Sequence, residues 1–279
     1  MIVHWTFWIL ILLDFLGSLS YFNFLCTIHD FLLFGPILMI TVIISQMTFS
    51  LVTKMFGGDI SGGIVLWPLG GWSYCGPTTR GGRCGDLLIY VSGPLTFIPQ
   101  GIGWYALFTL YFKSNYSGIT DSVENFSEGQ FLREHFFFVL TASAFVLNMT
   151  LLVFNLLPLY PLPGGNILIT FLLLCGVKEK RTALFVSQSG LFLGLFLAVI
   201  SGIFFFRSIA FCVVVFGWCL FKNWQLFSLA QNDKLNEHPI FNRHHGGMNK
   251  GDVNMGAAPV AEQVVAQPGD IETPAWTTK

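Results

Sequence analysis

Seven apolar runs separated by polar breaks organise this chain: residues 5–26, 31–52, 86–112, 135–156, roughly 165–177, 184–205 and 208–227. A helix needs about 20 mainly apolar residues to cross the hydrocarbon core of a bilayer. The fifth run is shorter and predicts a half-helix, which is tolerable at membrane depth only where its irregular end is buried in protein or lines a cavity. The first run has no basic flank, is longer than a signal-peptide core and meets no small-residue cleavage site. It therefore reads as a first membrane helix.

The breaks differ in kind. Gly57–Gly85 is rich in Gly, Thr and Pro, and its Ile60–Gly71 portion places short β-prone runs between glycines. That pattern predicts a hairpin or re-entrant loop. Residues 113–134 read as a polar loop with two sequon triplets, Asn115-Tyr-Ser117 and Asn125-Phe-Ser127, which arise readily by chance. From Ser228 onward the chain turns to Gly, Pro, Asn, Gln and scattered charge. Such a composition buries too little apolar surface to offset chain entropy, so 228–279 reads as a disordered polar tail after a transmembrane domain over 1–227. The fold class expected is an all-α polytopic membrane protein of six to seven helices with a small re-entrant β-hairpin.

Composition agrees. Of 279 residues 53% are hydrophobic and 10% charged, and the mean hydropathy is +0.66. Soluble domains carry about 25% charged residues, so the lipid bilayer is the first partner implied. The net charge of -1 gives no electrostatic basis for nucleic-acid binding. Asp14 stands alone among the acidic residues well inside a long apolar run, and it should face the bundle interior. Most tryptophans fall near run ends, as in an interfacial aromatic belt. Cys75 and Cys84 share one loop and can pair if it faces an oxidising compartment. With seven spans, Lys113, Arg133, Lys178, Lys180, Arg181 and Lys222 share a side with the tail. Lys54, Arg80, Arg83 and Arg207 take the other, which puts the tail in the cytosol.

Three segments carry a family resemblance. Phe154-Asn-Leu-Leu-Pro-Leu-Tyr-Pro-Leu-Pro-Gly-Gly165 resembles the Asn-x-x-Pro-x-x-x-x-Asp-Gly segment of the site-2 proteases, the intramembrane zinc metallopeptidases. Ile40–Phe56 is similar to that family's second helix, whose His-Glu-x-x-His precedes an aromatic and a glycine. Counted back from Phe56, the five positions are Ser45-Gln-Met-Thr-Phe49. Leu66-Trp-Pro-Leu-Gly-Gly71 and Ser92-Gly-Pro-Leu95 are similar to its Leu-Pro-Leu-Gly-Gly and small-Gly-Pro-Leu segments. The resemblance covers about residues 36–175 and implies a site-2 protease-like core.

It also implies where a zinc would be held, and those positions carry the wrong chemistry. A catalytic zinc takes three protein ligands and an open water position. Residues i and i+4 share a helix face, but here they are Ser45 and Phe49, a neutral hydroxyl and a benzyl group. The third ligand position is Pro163, and the general-base position is Gln46, whose carboxamide takes no proton at neutral pH. No His-Glu-x-x-His occurs anywhere in the chain. His29-Asp30 reads as an interfacial polar turn, and His238, His244 and His245 as part of a solvated tail. No metal and no cofactor are expected.

What the resemblance leaves is scaffold. Asn155 keeps the family's substrate-carbonyl position; its plainer role is to satisfy backbone groups freed around Pro158. Leu66, Pro68, Gly70, Gly71, Asn155, Gly164 and Gly165 define a candidate partner groove, because strand addition works through main-chain hydrogen bonds and needs no metal. The leading expectation is a catalytically inactive protein that binds a membrane-protein partner or serves as a structural subunit. The alternatives are an active zinc metalloprotease with rearranged ligands, and a transporter or channel. The transporter would show a second broken helix or paired intramembrane charges.

Overall fold

The computed structural model describes residues 2–3, 12, 24–58, 60–67, 70–75, 78–125, 133–204 and 209–242. The expected first span, 5–26, lies almost wholly outside them. The chain divides into two units, Met1–His245 and Gly246–Lys279, and the second also lies outside the described residues.

The architecture is a helix bundle with one small sheet. Helix α1 (Phe24–Leu32) continues through a π-helical segment (Leu33–Ile37) into α2 (Leu38–Met55). Pro36 lacks an N–H and cannot complete an α-helical turn. The widened turn absorbs the missing bond, and the Leu38 N–H reaches back five residues to Leu33 O. His29 and Asp30 therefore lie inside a helix, which corrects the turn expected there. At the far end Gly57, at φ 70°, stops α2 in a conformation glycine adopts freely. The Gly58 N–H then closes onto Thr53 O at 3.0 Å.

Strands β2 (Ile60–Trp67) and β3 (Gly70–Cys75) pair antiparallel, with Leu66 opposite Gly71. Strand β1 (Ile2–Val3) adds to β2 in parallel, giving the order β1-β2-β3. The two longer strands pack against α2.

The span expected over 86–112 is two helices, α3 (Gly82–Leu95) and α4 (Phe97–Asn125), parted at Thr96 just after Pro94. The polar loop expected over 113–134 is helical as far as Asn125, since polar residues forbid lipid contact but not helix. Helix α5 (Phe136–Leu156) is followed by the Leu157–Leu162 loop and by α6 (Pro163–Leu174). Helices α7 (Glu179–Phe204) and α8 (Ile209–Gln231) pack against each other and lead to a 3-10 turn (Leu235–Glu237) and α9 (Pro239–Asn242).

The boundary expected at residue 228 is corrected. Leu235, His238 and Phe241 are buried, and Leu235 and Phe241 join a core with Ile169, Leu173, Ala183, Val186 and Leu226. A few well-placed apolar residues anchor a segment whose average composition is polar.

Contacts also reassign the two ends of the bundle. His29 Nε2 lies 3.2 Å from Ser143 Oγ, so α5 begins at the α1 end. Arg83 Nη1 donates to Leu173 O at 2.7 Å, and the Arg80 N–H donates to Phe56 O at 3.1 Å. Helix α6 thus ends where α2 ends and α3 begins. The runs 135–156 and 165–177 together make one traverse of the bundle, not two. Arg83 faces Glu179 at 3.7 Å, and Lys180 pairs with Asp233 at 2.7 Å. The start of α7 and the end of α8 share this end too. Arg83 is therefore on the side of Lys180, contrary to the sides counted from seven full spans.

Three helices among the described residues are long and apolar enough to cross a membrane: Phe24–Met55, Phe136–Leu156 and Glu179–Ile200, with mean hydropathies of 2.0, 2.2 and 2.1. Their outward faces carry Ile40, Met47, Leu51, Val153, Phe192 and Leu195, all more than half exposed. A continuous apolar exterior of that kind marks a face made for lipid or protein rather than water.

Candidate functional site

The degenerate positions meet. Ser45, Gln46 and Phe49 sit on one face of α2 and are all buried. Across from them α3 presents Tyr90, Gly93 and Pro94. Asn155 in the last turn of α5, Pro161 in the loop, and Pro163 and Asn166 in α6 complete the lining. Among the described residues these ten, from three separate chain regions, line one cavity of about 40 Å³.

Local sequence explains how each arrives. At Gly93 α3 runs close to α2, and a Cβ there would make ordinary contact with Ser45 Oγ at 3.5 Å. Ser45 Oγ donates to Gly93 O at 3.0 Å and ties the two helices together at the cavity wall. Pro163 stands at the start of α6, where proline is favoured because its missing N–H would have had no helical partner. Gly164 and Gly165 form the rest of that first turn, where any side chain would strike the backbone of Leu156–Tyr160. Asn155 Nδ2 donates to Leu151 O at 2.8 Å, one turn back in its own helix. That bond satisfies a carbonyl in the interior of its own helix.

Phe49 and Tyr90 fill most of the space, with ring centroids 6.2 Å apart, and Ile89 packs behind them. The remaining volume is on the scale of one or a few water molecules. The polar lining is one hydroxyl, three carboxamides and a phenol. Asn166 Oδ1 is buried there without a hydrogen-bond partner.

Zinc does not fit this donor set. Catalytic zinc sites use imidazole, thiolate and carboxylate ligands, and none of the ten lining residues offers one. Among the described residues no group of three or more His, Cys, Asp or Glu side chains is placed to hold a metal ion. His29 Nδ1 contacts Asp30 Oδ1 at 2.9 Å, a pair at the opposite end of the bundle from the Arg83 contacts. His238 is buried against Tyr160 rather than solvated.

Of the other expected groove residues, Leu66, Gly70 and Gly71 are on the hairpin strands; Pro68 is outside the described residues. Cys84 is a free thiol. A second, larger groove of about 550 Å³ runs between the π-helical segment, α2 and α4, lined by Pro36, Ile40, Ile44, Gly103, Trp104 and Leu107 among others. It is apolar and opens to the outside of the bundle. Tyr90 and Asn166 belong to the cavity without any motif that marks them. The one hint in sequence is that Asn166 directly follows the Gly164-Gly165 pair.

No protein-family model matches the sequence, and no curated protein matches it. Among solved structures, the Site-2 Protease from Methanocaldococcus jannaschii is similar, with a TM-score of 0.50 and 21% sequence identity over 81% of this chain and 89% of that one. At that identity the likeness is one of fold. The fold is site-2 protease-like, and the apolar helices make the chain an integral membrane protein.

Proposed function

We propose that this chain is a non-catalytic, multi-pass membrane protein on a site-2 protease-like fold, which binds and holds a membrane-protein partner or serves as a structural subunit of a membrane complex. One observation carries the reading. Ser45, Gln46, Phe49 and Pro163 converge on a single cavity, and their side chains supply neither a zinc ligand set nor a base. Hydrolysis assisted by a metal needs both a Lewis acid and a group that accepts the water proton.

The partner side of the proposal rests on the hairpin. β2 already accepts β1 as an added parallel strand, so its backbone geometry suits strand addition. In this reading the hairpin is re-entrant and the bundle makes six crossings. The end bearing Lys54, Arg80, Arg83, Lys180 and Asp233 is cytosolic by its excess of cations.

The test is purification in mild detergent, scored by elemental analysis and by affinity capture. The expected result is a stoichiometric membrane partner and no stoichiometric zinc. One zinc per chain, lost on mutating a single internal residue, would overturn the reading. So would chelator-sensitive cleavage of a membrane-spanning reporter.

A further inference from the structure

We infer that Asn223 and the segment 232–242 form a latch that seats the Leu157–Leu162 loop and thereby governs access to the cavity. The inference rests on the reading that this cavity, where Ser45, Gln46, Phe49 and Pro163 converge, is the remnant of a catalytic site.

The loop supplies Pro161 to the cavity wall, and its neighbour Tyr160 is buried in the core formed by α6, α7 and α8. An irregular loop inside a membrane domain must find partners for its freed backbone groups. The Tyr160 carbonyl finds one in Asn223 Nδ2 of α8, which also donates to Cys219 O at 2.8 Å. Asn223 is fully buried. It fits because Gly190 opposite has no side chain; a Cβ there would lie 2.1 Å from Asn223 Oδ1.

The phenol of Tyr160 is held from the other side. His238 Nε2 lies 3.0 Å from its oxygen, and the Ile240 N–H donates to His238 Nδ1 at 3.3 Å. With Nδ1 taken by the Ile240 N–H, Nε2 is the ring nitrogen left to meet the phenol. The His238 ring lies 5.4 Å from the rings of both Tyr160 and Phe241. Both polar ends of one loop residue are therefore tied to the C-terminal third of the chain.

The holding segment is short and follows the last long helix. Its ion pairs, Lys180–Asp233 and Lys234–Glu237, are solvent-exposed and add little. A segment of this kind can release as a unit while the bundle stays folded. Beneath the loop, Leu159 and Leu162 cover Cys219, which is fully buried. The thiol of Cys219 is thus a native reporter of loop lifting.

The experiment uses the full chain in detergent with the other five cysteines replaced by alanine, and measures the maleimide alkylation rate of Cys219. Tyr160→Phe and His238→Ala should each raise that rate about fivefold, the worth of one hydrogen bond. Together they should raise it no further than His238→Ala alone, because the bond between Tyr160 and His238 can be lost only once. Asn223→Ala should add its own increase. A second reporter, Ala144→Cys, sits at a fully buried position of α5 and should stay protected throughout. Unchanged Cys219 rates in Tyr160→Phe and His238→Ala would overturn the latch, as would reporters at both positions becoming reactive together. The assay reads thiol exposure alone, so its outcome is separate from the metal and partner measurements.

Discussion

Gly164→Ala tests the packing that builds the cavity wall. A Cβ at Gly164 would lie 2.1 Å from Leu157 O and 2.5 Å from both Leu156 C and Leu156 O. Carbon and carbonyl oxygen meet at about 3.3 Å, so the added methyl overlaps by more than an ångström. Every obstacle is backbone, and no side chain can rotate away. Overpacking costs about 1–3 kcal/mol, and a backbone obstacle places this case at the upper end. Alanine's better helix propensity returns about 1 kcal/mol. The net loss is about 2 kcal/mol, which lowers Tm by about 4–8 °C for a domain of this size. Gly165→Ala behaves alike, with its Cβ 2.5 Å from Tyr160 N and 2.6 Å from Leu159 C and O. Gly103→Ala is the contrast: nothing lies within 4 Å of its Cβ, so alanine should stabilise α4 by up to about 1 kcal/mol. The assay is thermal unfolding in detergent, followed with a thiol-reactive dye on Cys219. Gly164→Ala and Gly165→Ala melting at or above the parent would refute the reasoning.

Three further outcomes follow from the same geometry. Phe49→Ala empties a buried ring packed on Tyr90 and Ile89 and should cost about 3 kcal/mol in the same melts. Joining Ser45→His, Gln46→Glu, Phe49→His and Pro163→Asp in one chain places zinc donors and a base around the existing cavity. That variant should take up about one zinc per chain by elemental analysis, and continued absence of zinc would show that these positions do not share a metal-sized site. Arg83→Met removes the bond to Leu173 O and the contact with Glu179. With the guanidinium one-third exposed, the loss should be only about 1 kcal/mol, and a collapse of the fold would show that the link between α3 and α6 is undervalued.

Much of this was legible in the chain. Apolar runs report helices directly, because a lipid-facing helix must be apolar over its whole length. Spacing also placed Ser45 and Phe49 on one face of α2, since i and i+4 share a side whatever the surroundings. Proline is favoured at the first position of a helix, and α6 begins at Pro163, because that backbone preference is local. The chemistry missing from the four family positions likewise follows from residue identity alone.

Tertiary structure decided the rest. Run length marked 165–177 as a half-helix, but the count of charged sides took it as a full span; contacts at Ser143 and Arg83 make 135–156 and 165–177 one traverse, because direction depends on which distant elements meet. Average composition read 228–242 as tail, whereas Leu235 and Phe241 find a core prepared by α6 and α7. Tyr90 and Asn166 carry no motif and enter the cavity only because α3 and α6 close on α2. Local sequence sets backbone preference and which face is apolar. Which faces meet, and how much space remains between them, is a property of packing among residues far apart in the chain.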